Sequence, residues 1–242
     1  MTNNRKTVIV TGASQGIGAA IVKAFLERGY NVVGTSRSAT KSTELKASDK
    51  LLLVDGDIGD AATAKKVVDA AVQQFGSVDA VVNNAGIFVA KPFVDYSADD
   101  LRALVSTNIE GYIYITQLAV KQMLAQKSGG SVVGITTSLV KNPVAGVSAS
   151  VQMITKGGLE AITVSLASEY AKEHIRFNAV APGPVDTPHH NDNPKEFLKT
   201  LSPMGTISTA EDIASAVVYL TEAHQITGEV LHVDGGAHSG KW

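Results

Sequence analysis

Residues 7–18 read TVIVTGASQGIG. The β-branched run Thr7–Val10 stops at a turn carrying Gly12, Gly16 and Gly18, and an apolar-periodic segment with Ile17, Ala20, Ile21, Ala24 and Phe25 follows. Strand, tight turn and helix in that order is the setting in which such glycine spacing carries information. Glycine lets the backbone approach a pyrophosphate closely, and the first N–H groups of the helix then face its charge. A turn with no ligand is the alternative reading.

The chain of 242 residues, 44% hydrophobic, suits one α/β domain with a full core, and one dinucleotide-binding domain over residues 1–242 is expected. A formal net charge of −2 gives no basic field for nucleic acid or an anionic membrane, so neither is expected as a partner. Without cysteine there are no disulfides or thiolate ligands, which fits a cytoplasmic location. The opening MTNNRKTVIVTGAS lacks the apolar core of a signal peptide, and no stretch approaches a membrane span.

Short apolar runs alternate with longer amphipathic ones. Strands are predicted at Thr7–Val10, Asn31–Ser36, Leu51–Asp55, Ala80–Asn83, Ser131–Ile135, Arg176–Ala181 and Glu229–Val233. Helices are predicted at Gly16–Arg28, Ala61–Phe75, Ala98–Gln126, Ser150–Glu173 and Glu211–Leu220, with Asp60 and Thr209 as N-caps. This alternation, with strands apolar on both faces, predicts a doubly wound Rossmann-type fold with a parallel sheet of about seven strands. Residues 184–202, rich in proline and polar side chains, read as a substrate lid with a short helix near Pro194–Leu201.

Further segments fall into an ordered set. NNAG stands at Asn83–Gly86, Asn108 lies in STNIEG, Ser138 in ITTSLV and Lys156 in ITKGGLEAIT. Pro182, Gly183 and Thr187 follow the sixth strand, and TGEVLHVDGG comes near the end. From Thr7 to Gly236 the chain resembles the short-chain dehydrogenase/reductase family. The resemblance implies a nicotinamide dinucleotide cofactor, hydride exchange between a carbonyl and an alcohol, and a homotetramer or homodimer. It assigns the cofactor to Gly12, Ser14, Gln15, Gly16, Ile17 and Gly18, then to Asp57 and Ile58 near the adenine. Asn84, Ala85, Gly86 and Lys156 would serve the ribose side, and Pro182, Gly183, Val185 and Thr187 the nicotinamide end. Asn108, Ser138, Gln152 and Lys156 are the candidate catalytic residues, with Thr137 competing with Ser138. In the family the asparagine matching Asn108 bends its helix and holds a water of a proton relay.

Cofactor choice is read at the end of the second strand, NVVGTSRS. A carboxylate there would bond the 2′-hydroxyl of NAD and repel a 2′-phosphate, whereas Arg37 can pair with that phosphate. NADP(H) is therefore expected over NAD(H); a solvated loop cation is the alternative for Arg37.

The pattern breaks at one place. The family's signature is Tyr-x-x-x-Lys, and one helical turn before Lys156 stands Gln152, in SVQMITKGG. Enoyl reductases of the wider family place the tyrosine seven residues before the lysine, which is Ala149 here. A glutamine amide donates a hydrogen bond but delivers no proton. Two readings follow: an oxidoreductase with an atypical proton donor, or a dinucleotide-binding scaffold or sensor that has lost turnover. His189, His190 and Asp192 on the lid form no credible metal set, and a solvated loop is preferred for them over catalysis. His232 and His174 are expected to be structural, and Tyr112 and Tyr114 to pack in the core.

Overall fold

The computed structural model describes residues 5–187 and 194–240. His189, His190, Asp192 and Trp242 lie outside the described residues. Among the described residues the strands are β1 (Thr7–Thr11), β2 (Asn31–Ser36), β3 (Leu51–Asp55), β4 (Ala80–Asn83), β5 (Gly130–Ile135), β6 (Ile175–Pro182) and β7 (Val230–Val233). They form a 7-stranded sheet in the order β3-β2-β1-β4-β5-β6-β7, and every pairing is parallel. The helices are α1 (Gly16–Glu27), α2 (Ala61–Phe75), α3 (Ala98–Val105), α4 (Gly111–Gln126), α5 (Ser150–Glu169), α6 (Lys195–Lys199) and α7 (Ala210–Glu222). This is the doubly wound Rossmann-type architecture that the alternation predicts.

The alternation of side chains along each strand builds two cores, one on each face. Val8, Val10, Val32, Val82 and Val133 pack with Ile21 and Phe25 of α1 and Val217 of α7. Ile9, Val33, Val81 and Val132 point the other way, onto Val67 of α2, Ile115 of α4 and Leu159 of α5. Each such side chain removed from water contributes roughly 1.5–3 kcal/mol. Because β1 pairs with β2 on one side and β4 on the other, the strand order reverses at its carboxyl end. Ligands of open α/β sheets bind in the crevice at that point.

Three expected elements are corrected. The predicted helix Ala98–Gln126 is divided into α3 and α4 by a π-helical turn, Ser106–Glu110. Asn108 sits inside that turn and is buried. The predicted helix Ser150–Glu173 ends at Glu169, and a separate 3-10 turn covers Ala171–Glu173. The lid helix is shorter than expected, Lys195–Lys199. Asp60 caps α2 by accepting from Ala62 N at 2.9 Å, and Thr209 caps α7 in a reciprocal capping box with Asp212.

Candidate functional site

The carboxyl ends of the strands open into a cavity of about 830 Å³. Its lining brings together Gly12, Gln15–Gly18, Asn84–Gly86, Ser138, Lys156, Pro182, Gly183, Val185 and Thr187. Segments far apart in the chain thus meet at one crevice.

The glycine turn is a cradle that leaves no room for a side chain. Gly12 has φ +65°, and a Cβ there would lie 2.9 Å from Ala85 Cα. A Cβ on Gly18 would lie 2.1 Å from Gly12 O. Asn84 locks the arrangement, its Nδ2 donating to Thr11 O at 2.9 Å and to Gly12 O at 3.1 Å. Thr11 Oγ1 accepts from Asn84 N and Ala85 N, which ties β1 to the turn after β4. Gly16 N, at the start of α1, takes an anionic partner, Glu44 Oε1, at 3.2 Å. The bare backbone and the N-terminus of a 12-residue helix fit the pyrophosphate of a dinucleotide.

Lys156 lies at the inner end. Its Nζ donates to Ile135 O at 2.8 Å, and burial holds its pKa down, at about 8 against an ordinary 10.5. Lys156 is half-buried and lines the cavity, and it makes no ion pair with a carboxylate among the described residues. Ser138 begins a 3-10 turn, lines the cavity, and its hydroxyl makes no hydrogen bond among the described residues. Thr137 also lines the cavity, but its oxygen accepts from Leu139 N at 3.4 Å. Val185 forms a bridge with Ser208, so Pro184–Thr187 is fastened to the body of the fold rather than free like a lid.

Gln152 is not where its register with Lys156 predicts, facing a substrate. Gln152 is 0% exposed and absent from the cavity wall; its Oε1 accepts from Val89 N at 2.9 Å. The loop after β4 packs over it, which the helical register with Lys156 does not reveal. Asn108 lies behind the same wall, accepting from Ile87 N at 2.9 Å and donating to Ile87 O and to Thr155 Oγ1. Ser14, Arg37, Asp57 and Ile58 also lie off the lining. Arg37 is exposed and free of ion pairs among the described residues. Asp57 accepts from Gly59 N at 3.0 Å in a tight turn, and Ile58 is buried in the core. Tyr112 is buried among apolar side chains, and burial raises its pKa. The His232 ring stacks on His238 with centroids 3.9 Å apart.

Sequence reasoning missed the loop 87–92, whose Phe88, Ala90, Lys91 and Pro92 line the cavity, while Leu198 and Leu201 of the expected lid line it as well. The loop has no periodicity to read, and its partners come from distant helices.

This fold and crevice are those of a dinucleotide-binding protein, and the comparisons give its class. Residues 12–238 match the family model described as enoyl-(acyl carrier protein) reductase. The chain belongs to the short-chain dehydrogenase/reductase family of oxidoreductases. An L-rhamnose 1-dehydrogenase (NAD(P)(+)) from Sphingomonas sp. is 33% identical over 96% of this chain and 96% of its own. The 3-oxoacyl-[acyl-carrier-protein] reductase FabG of Staphylococcus aureus is 35% identical over 96% of this chain and 98% of its own. Among solved structures, ElxO with NADP bound has a TM-score of 0.87 at 27% identity, covering 98% of this chain and 100% of that one. The ligand-free aldohexose dehydrogenase of Thermoplasma acidophilum has a TM-score of 0.87 at 30% identity, covering 98% and 95%. A tyrosine-to-phenylalanine variant of ElxO with NADPH bound matches equally well, with a TM-score of 0.87.

Proposed function

We propose that this protein is an NADP(H)-dependent oxidoreductase that interconverts a small carbonyl compound and its alcohol without a tyrosine proton donor. The observation that carries the reading is the single cavity running from the bare Gly12–Gly18 cradle to the Lys156 ammonium. The dinucleotide, when bound, supplies or takes up the hydride. The chain's own residues do the rest. The cradle binds the pyrophosphate, Asn84 and Lys156 hold the ribose side, and Pro182–Thr187 flanks the nicotinamide end. Ser138 orients the substrate oxygen with its hydroxyl, which makes no hydrogen bond among the described residues.

The proton resides on Lys156 Nζ. Among the described residues two lysines line the cavity, and Lys91 is engaged with Asp100 at 2.7 Å, an ion pair that holds the Asp100 pKa at about 2. Reduction takes a proton from the Lys156 ammonium to the carbonyl oxygen, and solvent restores it; oxidation runs the other way.

The preference for NADP(H) rests on Arg37. Asp55, opposite Ser36 in the sheet, is the carboxylate nearest in register, but it accepts from Thr40 N at 2.8 Å and from Thr40 Oγ1 at 2.5 Å. Arg37→Ser is expected to weaken NADPH binding by about 10–100-fold, the loss of a hydrogen bond to a charged group, and to leave NADH binding unchanged. Fluorescence titration with both cofactors reads this directly; equal losses for the two would remove Arg37 from the phosphate site.

The chain is read as one domain, and a homotetramer or homodimer is proposed, supported by exposed Leu101 on α3 and Ile154 and Val164 on α5. The absence of cysteine supports the cytoplasm. Among the described residues no helix is long and apolar enough to cross a membrane.

A scaffold or sensor is the second reading, and the burial of Gln152 favours it, since among the described residues no phenol lines the cavity. The two separate on one assay: NADPH binding and NADPH consumption over a panel of aldehydes, ketones and diketones. Binding with turnover supports the oxidoreductase; tight binding with no consumption over the whole panel supports the scaffold.

A further inference from the structure

We propose that Gln152 is a positioning residue, the buried half of a clamp on Val89 that fixes the cavity wall formed by Phe88, Ala90, Lys91 and Pro92. Residues 84–92 have no helix or strand pairing, so their backbone groups need other partners. Val89 has one on each side. Its N–H donates to Gln152 Oε1 at 2.9 Å, and its carbonyl accepts from Tyr96 OH at 2.5 Å. The two grips come from different elements, α5 and the segment before α3. Lys91, one step further along, is pinned by Asp100 at 2.7 Å and lies 5.6 Å from the Tyr96 ring centroid.

The burial of Gln152 shows that the amide is committed to this contact. Its Nε2 is buried with no hydrogen-bond partner among the described residues. Leaving a donor unpaired is costly, so an apolar side chain of similar shape would fill the space more cheaply. What such a side chain lacks is the acceptor for Val89 N. The clamp thus supplies a preformed wall, with its ordering entropy spent in folding rather than on binding.

The test uses amide hydrogen exchange on the full-length native protein, Gln152→Met, Tyr96→Phe and the double variant. Exchange at Val89 is expected to rise about tenfold or more in each single variant, in line with a lost hydrogen bond. The double variant is expected to show less than the product of the two effects, because both act through one peptide unit. Gln152→Glu at low pH, where the buried acid is neutral and keeps an acceptor oxygen, is expected to restore protection. Unchanged Val89 exchange in Gln152→Met together with a lowered melting temperature would reduce Gln152 to core filling and overturn the proposal. Should that variant not fold, unchanged exchange in Tyr96→Phe overturns the clamp equally.

A kinetic arm rests on the proposed oxidoreductase reading. There the clamp variants raise KM for the best carbonyl of the panel, with kcat and NADPH affinity held within about twofold. A fall in kcat at constant KM contradicts the positioning role. If the native protein consumes no NADPH, the functional reading fails while the exchange result still decides the clamp.

Discussion

Lys156→Met is expected to lower carbonyl reduction by about 10²–10⁴-fold, the usual cost of removing a positioned general acid, and to make the protein more stable near neutral pH. The two effects share a cause. Burial holds the ammonium at about 8 against an ordinary 10.5. At about 1.4 kcal/mol per pH unit that interval is roughly 3 kcal/mol of penalty for keeping the charge inside. Methionine removes the penalty but leaves Ile135 O without its donor, a loss of about 1 kcal/mol. A net gain of about 2 kcal/mol at pH 7 follows, less where water in the cavity screens the charge.

The sign of the pH dependence follows from the lowered value. Below pH 8 the amine is protonated in both folded and unfolded chains, and the penalty is present in full. Between about 8 and 10.5 the unfolded chain binds the additional proton, so native stability rises with pH, and above 10.5 the contribution is complete. Denaturant melts across this window are expected to show the rise for the native protein and none for Lys156→Met. The rate profile has the opposite sense for the two directions. Reduction needs the ammonium and declines above pH 8, while alcohol oxidation needs the free amine and climbs to a plateau there. A reduction rate flat from pH 7 to 10 would place the proton on another group.

Much of this molecule is legible in its amino acids, for physical reasons. Strands such as Asn31–Ser36 and Ala80–Asn83 stand where the apolar runs predict them, because strands buried on both faces have no polar side to interrupt the run. The π-turn at Ser106–Glu110 left a single trace, an asparagine in mid-helix, because one extra residue in a helical turn alters no periodicity that a short window detects. The cradle is legible because glycine at Gly12 and Gly18 answers a local steric demand. Gln152 is the opposite case. Its register with Lys156 is local and points to the cavity, but its actual partner, Val89, is brought over it by a loop with no pattern of its own. Long-range contacts made by irregular backbone are where one-dimensional reasoning ends.

Gly18→Ala is expected to abolish useful cofactor affinity and to cost the fold about 1–3 kcal/mol, as overpacking does. Gly18 is in the first turn of α1, and its added methyl would sit 2.1 Å from Gly12 O and 2.7 Å from Asn84 Nδ2. Neither neighbour can yield. Gly12 O is held by Asn84 Nδ2 at 3.1 Å, and Gly12 itself abuts Ala85 in a left-handed conformation. Relieving the clash means shifting the first turn of α1 away from the Gly12 turn, which carries its N–H groups off the anion they face. Losing two charge-assisted hydrogen bonds of roughly 1.5–3 kcal/mol each weakens NADPH by at least about a hundredfold. Gly158→Ala is the control. Its Cβ would meet only Ile109 Cδ1, at 3.7 Å, and alanine in mid-helix is favoured by about 0.5–1 kcal/mol. That variant is expected to bind NADPH as the native protein does and to melt slightly later. Calorimetric titration of both variants separates the local clash from a general intolerance of alanine. Native-like NADPH affinity in Gly18→Ala would mean that the phosphates lie elsewhere than over the first turn of α1.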